Sequence, residues 1–184
     1  MALTAAPLAA GAGEAVDSEA AARQYFTDTE VMDQNGKPHR FYSDLLRGKR
    51  VLINFAFTTC KTACSPVTAN LARVQKQLGE RLGKDVTMIT LSVDPVNDTP
   101  ANLKRFAAKF NARPGWYFLT GTPDNVHALL KKLGGYTENP EQHSTVLLIG
   151  DTKTGNWTKS IAMEKPEQIV DIVKRINDPL PSPR

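Results

Sequence analysis

The chain has 184 residues, 41% hydrophobic and 23% charged, an ordinary composition for one globular domain with a full core and too short for two. Its net charge of +4 comes from scattered Lys and Arg, which reads as solvated surface and excludes a basic stripe for nucleic acid. Two cysteines do not make a disulfide framework, and no apolar run reaches the roughly 18 residues of a membrane-spanning helix.

Residues 1–22 are rich in Ala, with no basic residue before Arg23, so the positive start of a secretory signal is missing. Leu3 to Ala12 suits the trimmed end of a signal or anchor and a flexible Ala/Gly tail equally well. Either way, 1–22 is expected to be disordered or loosely packed, with one folded domain over 23–178 and a non-helical Pro-rich tail over 179–184.

Tyr25 to Met32 and Pro38 to Phe41 flank Asn35-Gly36, a strong turn signal, and are expected to form a hairpin in which His39 is solvated. A short helical turn, Asp44 to Lys49, leads to the apolar run Val51 to Phe57, which reads as a buried strand. The run ends in Thr58-Thr59-Cys60-Lys61-Thr62-Ala63-Cys64-Ser65-Pro66. Ser65 is expected to cap a helix over 66–82, with Pro66 at its first position and Val67, Leu71, Val74, Leu78 and Leu82 on one face.

Val86 to Val93 is a second buried strand. A helix opening at Thr99-Pro100 follows, then a short strand from Trp116 to Leu119 and a helix opening at Thr122-Pro123 and stopped by Gly134-Gly135. The polar loop Tyr136 to Ser144 precedes a strand from Thr145 to Ile149, a turn, a strand over 157–162 and a last helix opening at Lys165-Pro166. Strands alternating with helices imply right-handed crossovers and a largely parallel sheet, and the closing strand pair turns antiparallel. This order predicts a thioredoxin-like α/β fold: a mixed, mostly parallel central sheet flanked by helices, with an N-terminal β-hairpin and a strand–helix element inserted around 99–133.

Cys60 and Cys64 thus stand in a strand-to-helix turn at the positive end of a helix dipole, beside Lys61, where a thiol ionises readily. If the turn is helix-like, their Cα atoms lie roughly 6 Å apart, within reach of a disulfide or of one shared metal ion. Two thiolates favour Cu(I), and an added imidazole suits Cu(I), Cu(II) or Zn. His127 lies beside an apolar helix face, which suits packing. His143 ends the loop that faces the cysteine turn in this fold, where it serves either as a loop cap or, on the favoured reading, as a third ligand. Cys₂His lacks the four ligands of a closed zinc site and fits an open, three-coordinate copper site.

Together, Phe57-Thr58-Thr59-Cys60 with Cys64, Leu91-Ser92-Val93-Asp94-Pro95-Val96-Asn97-Asp98-Thr99-Pro100, and His143-Ser144-Thr145 resemble the SCO/SenC family of copper-binding assembly factors for cytochrome c oxidase. The resemblance covers roughly 25–177. It implies Cys60, Cys64 and His143 as copper ligands, and Asp94 as a carboxylate near the copper, unless Asp94 merely ends its strand. Asp98 is expected to cap the helix at Thr99-Pro100. Many family members have proline directly after one or both cysteines, whereas this chain has Lys61 and Ser65.

The implied function is that of a metallochaperone for the copper A site, with the copper A subunit of the oxidase or another copper or thiol exchange protein as partner. The implied place is the periplasm, with an anchor in the inner membrane. The alternative is a thiol-disulfide oxidoreductase that reduces the oxidase's copper-site cysteines through a Cys60–Cys64 redox pair, Cys60 attacking. A thiol peroxidase fits less well: peroxiredoxins carry P-x-x-x-[ST]-x-x-C, and position 57, three before Cys60, is Phe.

Overall fold

The computed structural model describes residues 12–177. Residues 1–11 and the expected Pro-rich tail at 179–184 lie outside them. From Ala12 onward the expected loose tail is instead helical, forming α1 (Ala12–Phe26). Ala, Glu, Gln and Arg are strong helix formers, and the helix is docked rather than free. Ala22 and Phe26 are buried, the Phe26 ring lies 4.8 Å from that of Trp157, and α1 packs against the later helix α4.

The hairpin forms, with β1 (Glu30–Met32) antiparallel to β2 (Pro38–Arg40). Its strands are shorter than expected because Tyr25 and Phe26 belong to α1 and Phe41 begins a π-helical turn, Phe41–Leu46. Asp33 organises the turn: one carboxylate oxygen accepts the Asn35 and Lys37 N–H groups, and the other lies 3.1 Å from His39 Nε2. His39 is therefore only 7% exposed, contrary to the solvated position expected from its place after Pro38.

The main sheet has the order β5-β4-β3-β6-β7, built from β3 (Arg50–Ala56), β4 (Val86–Ser92), β5 (Trp116–Leu119), β6 (Val146–Asp151) and β7 (Asn156–Ile161). β3, β4 and β5 run parallel, while β6 and β7 run antiparallel to their neighbours. β4 is buried at every position, as expected for a central strand covered on both faces. α2 (Cys64–Leu78) packs with α5 (Pro166–Arg175), and α4 (Pro123–Leu133) packs with α1. α3 (Pro100–Lys109) and β5 form the expected insertion, which extends the sheet at the β4 edge. The predicted thioredoxin-like α/β architecture is the one observed.

Proline marks three helix starts as expected. Thr99 caps α3 by accepting the Asn102 N–H, and Thr122 caps α4 by accepting the Asn125 N–H. Asp98 is not the cap of α3. Nor is Ser65 the cap of α2, which begins at Cys64 with Ala63 before it and no side-chain cap. The helix starts early because Cys64 N–H already has an acceptor, Cys60 Sγ at 3.3 Å.

Candidate metal centre

Sheet topology brings the site together. β3 and β4 run parallel and end side by side, with Ala56 opposite Ser92. β6 runs the other way, with Leu148 opposite Ile53, so the chain just before Val146 stands beyond the end of β3. The cysteine turn leaves one strand there, and His143 arrives at the next. The link Gly134-Gly135 shapes this arrival. Gly134 takes the left-handed conformation (φ 73°) that ends α4. A Cβ at Gly135 would lie 2.5 Å from the Phe55 ring, so only glycine lets the loop approach β3 this closely.

Cys60 Sγ, Cys64 Sγ and one His143 ring nitrogen all lie within 4.8 Å of one another. His143 Nε2 is 3.1 Å from Cys64 Sγ and 4.0 Å from Cys60 Sγ. Its Nδ1 is 3.1 Å from the Ser144 carbonyl. A carbonyl only accepts, so Nδ1 carries the proton and the Nε2 lone pair faces the two sulfurs. The Phe57 ring meets the imidazole edge-on at 5.6 Å. Both cysteines are free thiols.

The two thiols are not equivalent. Burial opposes ionisation of Cys60, but hydrogen bonds from the Cys64 thiol and from the Cys64 and Thr62 N–H groups outweigh it and bring its pKa down to about 6. Lys61, expected to assist, is exposed; the lowering comes from these hydrogen bonds. Cys64 is fully buried, and burial together with its hydrogen bond to Cys60 drives its pKa strongly up. In the resting site, Cys60 is therefore the thiolate and Cys64 the thiol that donates its S–H to it, with the Nε2 lone pair of His143 3.1 Å from Cys64 Sγ.

A buried carboxylate, Asp98, acts on this chemistry through its charge, which opposes ionisation of Cys64. It is 1% exposed and accepts from Thr58 N (3.0 Å), Thr58 Oγ1 (2.6 Å) and Ser92 Oγ (2.6 Å). It thereby ties the ends of β3 and β4 together two residues before Cys60. Burial raises its pKa despite these bonds. Asp94, the carboxylate expected near the metal, is half-buried and is held by Asn97 Nδ2 at 2.8 and 3.0 Å. It does not join the Cys60, Cys64, His143 group. Asp98 was missed because its position before Thr-Pro looks like a cap; no local signal reports its distant partner Thr58.

His127 is not in the group either; it packs edge-on against Tyr136 at 5.5 Å. Among the described residues, the one group of three or more His, Cys, Asp or Glu side chains able to hold a metal is Cys60, Cys64 and His143. No helix among them is long and apolar enough to cross a membrane.

The SCO1/SenC family model matches residues 17–178. The chain belongs to the SCO1/SenC family. A SCO1 protein homolog of Bacillus subtilis is 38% identical over 119 residues, which cover 62% of this chain and 60% of that relative. A solved structure of BsSco, described as a member of the Sco family of cytochrome c oxidase assembly proteins with a disulfide switch, superposes with a TM-score of 0.69. It is 30% identical and covers 82% of this chain and 92% of its own. The structure of Bradyrhizobium japonicum ScoI with copper bound superposes with a TM-score of 0.67 at 26% identity, covering 80% and 96%. The resemblance carried by the cysteine, Asp-Pro and His-Ser-Thr motifs therefore holds at the level of family and fold.

Proposed function

We propose that Cys60 Sγ, Cys64 Sγ and His143 Nε2 hold one copper ion as cargo, and that the chain delivers it to the copper A subunit of cytochrome c oxidase. One observation carries this reading: three donor atoms within 4.8 Å of one another on an otherwise ordinary fold. Their chemistry fits copper, since two thiolates and an imidazole suit Cu(I) and Cu(II) and leave the ion a position open for transfer. The Ser144 carbonyl that holds Nδ1–H supports His143 as a ligand, because an outer hydrogen bond of this kind orients a ligating imidazole. Copper bound to the Bradyrhizobium relative points the same way. Loading must deprotonate the Cys64 thiol, so uptake releases protons and strengthens with pH. By family resemblance, the setting is the periplasm, with an anchor in the inner membrane.

Anaerobic titration of Cu(I) against a chromophoric chelator tests the site. One ion per reduced chain is expected, with much weaker binding in His143→Ala. Equal uptake by a Cys60→Ser/Cys64→Ser double variant would remove the dithiol from the site and overturn the proposal.

The unequal thiols favour a second reading, a thiol-disulfide reductase. Cys60 thiolate attacks a partner disulfide, forming a mixed disulfide and releasing one partner thiolate. Cys64 then gives its proton to His143 Nε2 and attacks Cys60 Sγ, which closes Cys60–Cys64 and frees the second partner thiolate. Two electrons pass to the partner. A Cys64→Ser variant should accumulate the mixed disulfide with a model disulfide peptide, and no adduct would rule this route out.

A further inference from the structure

Beside the dithiol and His143 lies a groove whose charge is opposite to that of the chain as a whole. It runs between the loop after β4 and the loop after α4, and Phe57 and Thr59, next to Cys60, form part of its wall. Asp94, Glu138 and Glu141 line it, and no Lys or Arg does, in a chain of net charge +4. Among the described residues none of these three carboxylates is in an ion pair.

The groove is also apolar where it opens. Val96 is 72% exposed and Tyr136 40%. Tyr136 is already ordered, with Lys131 Nζ 4.8 Å over its ring and His127 edge-on to it. A tyrosine held in place in this way loses little further freedom on contact with a partner. Phe57 joins groove to site, since its ring both lines the groove and meets His143.

We propose that this groove docks an extended polypeptide segment bearing Lys or Arg beside apolar side chains, presented by the protein that exchanges copper or electrons with the adjacent site. The inference rests on the function proposed above for what the partner does there. Uncompensated carboxylates attract cations and steer their approach. The positive remainder of the surface repels a basic partner, which therefore meets the chain groove first, with Cys60 at its edge. Val96 and Tyr136 supply the apolar anchors that hold an encounter once made. The same carboxylates repel an anionic lipid surface, so the occupant is a protein segment and not a membrane.

The test uses the reduced, isotope-labelled full chain and two amidated peptides of about ten residues. One carries lysines and leucines on a Ser/Gly background, and the other carries glutamates in place of the lysines. The Lys/Leu peptide is expected to shift the amide resonances of Val96, Tyr136 and Glu138, and the Glu/Leu peptide to leave them unmoved. A Glu138→Gln/Glu141→Gln variant should bind the Lys/Leu peptide about threefold to tenfold more weakly, as two exposed ion pairs are lost. Raising the salt from about 0.1 to 0.5 M should weaken it in the same direction. The Cu(I) affinity of that variant, measured separately with a chelator, should equal that of the unaltered chain.

Equal binding of the two peptides, no shifts, shifts elsewhere, or a parallel loss of Cu(I) affinity in the variant would each overturn the groove assignment. An unaltered chain that takes up no copper but shows the expected shifts would overturn the proposed function and leave the groove standing. Copper uptake without shifts would do the reverse.

Discussion

The two walls of the site are built differently. The cysteine wall belongs to the core: Cys64 is fully buried, its carbonyl accepts from Thr68 Oγ1 at 2.6 Å, and Asp98 clamps Thr58 to Ser92 just upstream. The histidine wall is a surface loop in which Glu138, Glu141, Gln142 and Ser144 are exposed. His143 is held there by its N–H on the Pro140 carbonyl and its Nδ1–H on the Ser144 carbonyl. Thiol chemistry is thus anchored in the packing of the domain, and the third donor is not. Substitution can therefore separate the two.

The sharpest way to break this comparison is Asp98→Ala. It leaves two hydroxyls and one N–H without their acceptor in a buried place, and should cost about 3 kcal/mol, read by urea denaturation at neutral pH. A loss below about 0.5 kcal/mol would show that the clamp does not hold the cysteine wall. The pH dependence adds a second reading. Burial raises the Asp98 pKa in the folded state, so the native chain holds this proton more tightly than the unfolded one. Its contribution is therefore greatest at acid pH and declines as pH rises through the raised pKa. Asp98→Asn should flatten that decline, and unchanged slopes would contradict it.

On the other wall, His143→Ala should weaken copper binding by at least the roughly 10–100-fold that loss of a mere supporting group costs. Its urea stability should stay within about 0.5 kcal/mol of the unaltered chain. A large loss of stability would place His143 in the core instead. Gly135→Ala should destabilise by about 1–3 kcal/mol, because its Cβ would press on the Phe55 ring. It should also reduce copper affinity by displacing the loop; wild-type values for both would show that close approach to β3 does not position His143.

The smallest effects concern residues beside the thiols. Alkylation of the reduced chain by iodoacetamide should follow Cys60 ionisation, with a midpoint at about pH 6. The rate falls below that pH as the thiolate is protonated, and Cys64 stays unmodified. Because hydrogen bonds set this midpoint, Lys61→Ala should leave it in place. A clear upward shift would restore the charge explanation.

These contrasts follow the line between what local sequence could and could not reveal. β3, β4 and the caps Thr99 and Thr122 were legible, because apolar runs and Thr-Pro pairs act within one element. Helix α1, the buried His39 and the clamp at Asp98 were not. Two depend on a partner far along the chain, Trp157 for Phe26 and Thr58 for Asp98; His39 depends on the Asp33 carboxylate, which reaches it only across the folded hairpin. Asp94 and Asp98, four residues apart, show the same limit. Residue type made both candidates, and burial alone separated the clamp from the groove-lining carboxylate.

By itself, the sequence determined the element order from the hairpin onward, the thioredoxin-like class and the presence of a C-x-x-x-C dithiol, since periodicity and punctuation are local properties. Only the tertiary structure decided that His143 Nε2 faces both sulfurs, that Cys60 and not Cys64 is the thiolate, and that hydrogen bonds rather than Lys61 make it so. Those outcomes depend on distance and desolvation, which come into being when β3 and β4 end, and β6 begins, at one end of the sheet.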